Sequence, residues 1–315
     1  MNHLQLFHHF LNEASLLPVG RAQAGRRPYD AIVEAGLSNP YLMHAMLAMA
    51  SLHLSVTCGQ DTDARTFYRH QASKLQARAI EVFNAEPVHE VTADNAVPLL
   101  LFSSLVGIHV LGEMLVYRDR NETNFSSFLD EFTSYLRLHR GVRAVTAQSW
   151  SYLCKSELRP FLRVLDAVPR DSGSRGSECA PLVSLVEAAD LSQPSIDACI
   201  DAVDHLQWVF DGIRLDNEDN NGDGSLASSA IHAWPILLSE DYTRLLEQRR
   251  PEALVVLAYF GVAVHWRRSS WFLSDGGRFL VRGVSEYLGP FWREWLVWPN
   301  EVVNDPPDTM DSSAG

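Results

Sequence analysis

Between Tyr41 and Leu54 the chain offers only His44, Ser51 and His53 as strongly polar side chains. A helix of that composition is apolar almost all the way round, and it is stable only when enclosed on every side. This one stretch therefore demands a body of several helices built around it. Its limits are readable as well. Asn39 suits an N-cap, Pro40 the first helical position, where a missing N–H costs nothing, and Cys58-Gly59 marks a break. Ala45, Ala48 and Ala50 let neighbouring helices approach closely, while Met43, Met46 and Met49 are flexible thioethers suited to irregular space. Two readings stay open: a core helix whose Met side chains fill gaps, or the wall of an adaptable apolar pocket.

The remaining chain supplies partners with helical spacing. Leu4, Leu6, Phe7, Phe10, Leu11 and Leu16 recur on one face of residues 3–16, and a loop with Gly20 and Gly25 follows. A short helix is expected from Tyr29 to Gly36. Asp63–Glu86 is amphipathic, with Phe67, Tyr68, Ala72, Leu75, Ala79, Ile80 and Phe83 opposite Arg69, Lys74, Arg78 and Glu81. Thr92–Tyr117 has no charge between Asp94 and Glu113, yet it contains Asn95, Pro98, Ser103, Ser104, Gly107 and His109. It reads as a second buried helix and not as a membrane span, which needs about 20 predominantly apolar residues.

Further helices are expected at Phe125–Leu138, closed by Gly141 as a C-cap, and at Trp150–Leu165, bent at Pro160. Pro169–Pro181 is rich in Ser, Gly and Arg and reads as a linker-like loop within one domain over 1–299. Beyond it come Leu182–Ala189, Ser195–Ile213 with Ser195 as cap, a polar loop Asp216–Ser225, then Glu240–Gln248, Pro251–Ser269 and Gly277–Leu288. A Trp-rich segment, Phe291–Pro299, leads to an acidic tail at 300–315, expected to be disordered. Nowhere do five or more residues alternate as a half-buried strand, so the fold class is all-α, about ten or more helices around a hydrophobic core with an apolar cavity as an option.

With 315 residues, 46% of them hydrophobic, the chain has ample material for a core. A formal net charge of −13 argues against a broad face for nucleic acid or anionic membrane, so this chain is not expected to bind DNA directly. Cys58, Cys154, Cys179 and Cys199 form no C-x-x-C pair, which fits a reducing intracellular compartment, nucleus or cytoplasm. The first ten residues lack the pattern of a secretory signal.

Candidate chemistry is sparse. Asn217, Asp219, Asn221 and Gly222 resemble the start of a calcium loop, but Ser228 stands where a bidentate Glu is required. Asp201 and His205 are spaced i,i+4 beside Asp204, a possible metal set with magnesium if the protein is an enzyme, against a solvated acidic face otherwise. His44, His53 and His109 lie in apolar helices, where they either satisfy local hydrogen bonds or orient a polar group on a bound lipid. No G-x-S-x-G, H-E-x-x-H, P-loop or G-x-G-x-x-G context occurs, so no cofactor is expected.

Taken in order, several stretches resemble the regulatory domain of fungal zinc binuclear cluster transcription factors, especially the sterol-sensing regulators of sterol uptake. They are Leu4-Gln-Leu-Phe-His-His-Phe, the segment Asn39–Leu54, Tyr68 with Ala72, Ala79 and Phe83, Asn95-Ala96 with Phe102-Ser-Ser-Leu, and Leu138-His-Arg-Gly-Val with Trp150. Ala233-Trp-Pro-Ile, Arg250–Phe260, Trp271 and Trp298-Pro continue the match. The resemblance implies an all-helical domain, often a homodimer, whose apolar cavity holds a sterol-like small molecule and controls transcription. This sequence departs from the family in lacking the Cys-rich basic segment that contacts DNA, and around Gly276-Gly277.

Met43, Met46, Met49, Leu52 and Trp271 are the expected ligand contacts. Two other functions remain: a terpenoid or polyketide cyclase-like enzyme of secondary metabolism built on the same cavity, marked by Asp201 and Asp204 pointing inward, or a ligand-free dimerisation partner of full-length relatives.

Overall fold

The computed structural model describes residues 3–13, 16, 26–85, 90–118, 125–159, 175–218 and 225–304. Thirteen α-helices and one 3₁₀ turn account for the regular structure among them, with no strand, as the all-α expectation requires. The first half contains α1 (His3–Asn12), α2 (Arg26–Ser38), α3 (Pro40–Thr57), α4 (Thr62–Ala85), α5 (Ala96–Val116) and α6 (Phe125–Leu153). The second contains α7 (Ala180–Glu187), α8 (Gln193–Glu218), α9 (Ser225–Leu237), α10 (Glu240–Glu247), α11 (Pro251–Trp266), α12 (Gly276–Leu288) and α13 (Arg293–Asn304).

The stretch that opens the sequence argument is α3, and it is dry as its composition demands. Ala45 to His53 are all buried, and α1, α2, α4 and α5 pack around it. Pro40 occupies the first turn, but Asn39 does not cap α3 with its side chain. Its amide donates instead to the carbonyl of Ala35, 2.8 Å away, closing the end of the preceding helix. Tyr41, Phe83 and Phe102 then lock α3, α4 and α5 together through edge and tilted ring contacts of 4.7–5.3 Å. Helix α5 is long and apolar enough to cross a membrane, yet it is mostly buried and touches α2, α3 and α6.

The second half is organised around α11, in which every residue from Glu252 to His265 is buried. Helix α12 lies against it at an unusually close crossing. A Cβ on Gly277 would fall into the α11 backbone at Gly261 and His265, and a Cβ on Gly261 would come within 3.0–3.1 Å of Leu280, Val281 and the Gly277 carbonyl. Trp234 stacks on Phe260 at 4.3 Å and donates its N–H to the Ala202 carbonyl at 3.1 Å, which ties α9, α11 and α8 at one point.

A buried polar knot holds the segment before α7. Asp211 accepts from the Gly176 N–H at 2.7 Å and from Arg214 at 3.2 Å. Gln207 accepts from the Cys179 N–H at 2.9 Å and donates to Glu178 at 2.7 Å. The two halves meet through α6, which touches α9, α10 and α12, and through the loop at 267–275.

Several boundaries differ from the sequence reading. The expected stop at Gly141 does not occur: α6 runs unbroken to Leu153, because glycine's penalty of about 1 kcal/mol inside a helix is small beside the burial of Phe128, Leu129, Phe132, Tyr135 and Leu136. Residues 160–165 lie outside the described part. Helix α8 starts at Gln193, before Ser195, with Pro194 in the first turn, and it extends through Asp216 to Glu218. Helix α9 has no counterpart in the reading, which leaves 226–239 unassigned; its Pro235 sits in the helix's last turn. Helix α13 continues to Asn304, past the boundary at 299. The calcium-like loop from Asp219, part of the 169–181 loop, and residues 305–315 fall outside the described residues.

The Gly261–Gly277 crossing gives a direct test. Gly277→Ala is expected to lower stability by about 3 kcal/mol, because rigid backbone must move to admit one methyl group. Urea unfolding followed by circular dichroism measures it, and an unchanged midpoint would contradict the crossing.

Candidate ligand-binding site

The loop between α11 and α12 is a short run of turns, closed by N–H to carbonyl bonds such as Ser270 to Arg267 at 2.9 Å and Gly276 to Leu273 at 2.9 Å. It ends at Ser274, whose φ of 46° is the left-handed conformation that non-glycine residues rarely adopt. Trp271, Phe272 and Leu273 are all buried there, and Trp271 and Phe272 reach residues of the first half. Phe272 presses into a notch where Gly112 leaves room: a Cβ there would lie 3.3 Å from Phe272 and 3.4 Å from Leu52. Trp271 meets the edge of His53 at 5.1 Å. On its other face Phe272 stacks against His232 of α9 at 4.7 Å.

Charge locks the loop's far end. The Arg118 guanidinium, at the end of α5, pairs with Asp275 and lies 4.9 Å over the Phe279 ring. Phe125 completes that corner, its ring filling the space left by Gly283. Nearby, the Tyr117 hydroxyl donates to Ser55 Oγ at 2.6 Å, and Ser55 donates in turn to the Leu52 carbonyl at 2.5 Å. The zone between α3, α5 and the loop is therefore apolar at its centre and fixed by polar contacts at its rim.

Five histidines in or beside this core are held neutral by burial, which disfavours the charged ring. The pKa values of His53, His109, His139 and His265 are pushed down to about 4, and that of His232 to about 3. His53 has a partner, His9 of α1, at 2.9 Å between ring nitrogens. One ring must donate and the other accept, so both cannot be protonated. His109 is buried with its Nε2 unpaired. The chemical character of the region is a dry, uncharged enclosure with a few neutral donors and acceptors.

The five expected contact residues separate in space. Leu52 and Trp271 reach the same neighbourhood, joined by Phe272. Met46 instead packs its thioether onto the backbone of α2 at Gly36, with Met43 behind it, and Met46 and Met49 are wholly covered by protein. Phe272, Gly112 and His232 stand there too and are not among the contacts expected from the sequence. Gly112 and Gly107, two glycines in an apolar helix, were the available signal.

The acidic face of α8 points outward. Asp201 and Asp204 are 51% and 62% exposed, Asp201 faces His205 at 3.6 Å, and Asp204 faces Arg175 at 3.5 Å. Among the described residues no three His, Cys, Asp or Glu side chains are grouped to hold a metal ion.

No family model matches the chain. It is similar to a Zn(2)-C6 fungal-type transcription factor of Gibberella zeae, at 25% identity over 324 aligned positions covering 96% of this chain. The chain spans 62% of that relative's length.

The neutral histidines make stability depend on pH in a defined direction. Their folded pKa lies below the unfolded value near 6.5, so the unfolded chain binds more protons between about pH 6.5 and 4. Stability is then complete above about pH 6.5 and falls as the pH drops, each ring contributing up to about 1.4 kcal/mol per pH unit. Urea midpoints at pH 7.5, 6 and 5 check this. A midpoint constant across that series would show the rings to be accessible to protons in the folded state.

Proposed function

We propose that this chain is the helical regulatory region of a fungal transcription regulator of the Zn(2)-C6 type, working in the nucleus. The observation that carries the reading is the extent of the similarity to the Gibberella zeae transcription factor, 96% of this chain. A likeness spread over nearly all the helices is what a shared fold produces, whereas a shared motif would be confined to one. The ordered matches at Asn39–Leu54, Asn95–Leu105 and Arg250–Phe260 fall on α3, α5 and α11, three helices of the hydrophobic core.

The role within such a regulator is sensing rather than DNA contact. Cys58, Cys154, Cys179 and Cys199 are all free and far apart in sequence, and the net charge is −13, so these residues offer no zinc cluster and little for a phosphate backbone. The signal proposed is a neutral, largely apolar small molecule of sterol-like shape, held near Leu52, Trp271 and Phe272. Those side chains belong to both halves of the molecule. A ligand there shifts the packing of one half on the other by the difference in its affinity for the two arrangements. A homodimer is the assembly the family resemblance implies.

The test is a transcription reporter. The chain fused to an unrelated DNA-binding domain in yeast is expected to change reporter output about fivefold or more between sterol-depleted and ergosterol-supplied cells. Native mass spectrometry of the purified chain reads bound small molecules and assembly mass in parallel. Equal output at both sterol levels, with no bound mass, would defeat the sensing role.

A further inference from the structure

We infer that the contact between His9 and His53 is a proton-operated latch, which holds α1 on α3 while the two rings share one hydrogen bond and releases it when both rings are charged. This device is independent of the proposed sensing role, and either can fail without the other.

Helix α1 is short, ten residues from His3 to Asn12. A helix of that length is marginal in water and depends on what it packs against. Leu6 and Phe10 supply the packing: both are buried, and α1 lies on α3. His9 crosses to the same helix, its Nε2 lying 2.9 Å from Nδ1 of His53, with 5.0 Å between the ring centroids. His53 is 6% exposed, and Trp271 stands edge-on to it at 5.1 Å, which limits the rotation by which the ring could leave an unfavourable partner.

The proton count follows from that geometry. With both rings neutral, one nitrogen donates and the other accepts. A first proton adds to a nitrogen directed away from the contact, and the resulting imidazolium still donates to the neutral ring. A second proton leaves N–H groups on both facing nitrogens, so the bond is lost and repulsion between two positive rings replaces it. When α1 lifts away, both rings regain water and an ordinary pKa near about 6.5. Burial holds both below that value in the closed state, His53 at about 4. The latch is therefore fully closed above about pH 6.5 and opens as the pH falls, taking up as many as two protons.

The surrounding charges are mostly engaged with one another. On α1, Glu13 follows His9 by one turn, its N–H on the His9 carbonyl at 2.9 Å; it favours a proton on either ring, whereas exposed His8 opposes one on His9. Toward the start of α1, His3 meets His44 of α3 edge-on at 6.3 Å. Arg69 of α4 pairs with Glu113 of α5, buried His109 of α5 is held neutral, and Asp30 and Glu34 of α2 are exposed. In the loop that brings Trp271, Arg267 faces Asp216, Arg268 the His265 carbonyl, and Asp275 pairs with Arg118.

Hydrogen exchange of the full chain, read by mass spectrometry at about pH 7.5, 6.5, 5.5 and 5 and corrected for the intrinsic rate at each pH, separates local opening from unfolding. Protection of residues 3–12 is expected to fall at least tenfold across the series and to stay below that of α11 throughout, so that α1 opens while the body remains closed. His9→Gln replaces the ring by an amide that donates to a neutral His53 and accepts from a charged one. That variant should keep α1 docked at neutral pH, and its fall in protection over the same range should be at least fivefold smaller than that of the wild type. His53→Gln makes the same exchange from the other side of the bond and serves if the first variant fails to fold.

Constant protection of α1 in the wild type would overturn the latch. Loss of protection in α1 and α11 in step would do so as well, since acid would then be acting on the whole fold. So would a fall in the Gln variants as large as in the wild type, which would assign the effect to other histidines such as His44.

Discussion

The structure depends on a place where two backbones touch. Helix α11 has no wet side, so it must be covered everywhere, and on one flank the cover is α12 pressed against it at Gly261 and Gly277. Close approach there does more than bury area. It fixes where α12 begins, and hence how far the chain must travel between Trp266 and Gly276. That short connection cannot lie flat on its own half. Its turns carry Trp271 to His53 and Phe272 to the notch at Gly112. Glycine thus acts twice, once to bring helices together and once to make room for the stem of Phe272.

Polar groups decide the rest in a different way. Where partners exist they are local and specific: Arg118 with Asp275, Asp211 with the Gly176 N–H, Gln207 with Cys179 and Glu178. Removing one member of such a set leaves the other desolvated and alone, which is the larger part of its importance. The histidines follow the same rule in the opposite sense. His53 is matched by His9. His139 is not matched, and the molecule tolerates it beside a glycine and a tyrosine, which is why it draws attention to itself chemically.

Periodicity made the helices legible, and the dry helices most of all. The positions of α3, α5, α10 and α12 follow from apolar spacing and, for α3, from Pro40 at the helix start; Ser239, not picked out in the sequence, caps α10 by accepting from the Tyr242 N–H. Punctuation misled where the local penalty was small: Gly141 reads as a stop, yet it sits inside a helix that runs on to Leu153. The candidate site was harder. Met46 and Leu52 are equally apolar in sequence, but they project from α3 toward different neighbours, Gly36 of α2 and Gly112 of α5. Spacing gives the angle between such residues on their own helix; which partner lies at each angle is a property of the tertiary fold. The contact of α6 with α9 joins residues about ninety positions apart and leaves no local trace.

The loop at 267–275 has a consequence for how this domain can be divided. The Ser- and Gly-rich segment near residue 170 invites a cut, with a bundle on either side of it. Yet the aromatic residues of the later half are the lining of the earlier one. A fragment ending before the cut would lack the cover that Phe272 gives Leu52 and the Gly112 notch, and a fragment beginning after it would lose the cover they give Phe272. A cut there therefore exposes apolar surface on both sides of it, at Leu52 and Gly112 on one piece and at Phe272 on the other.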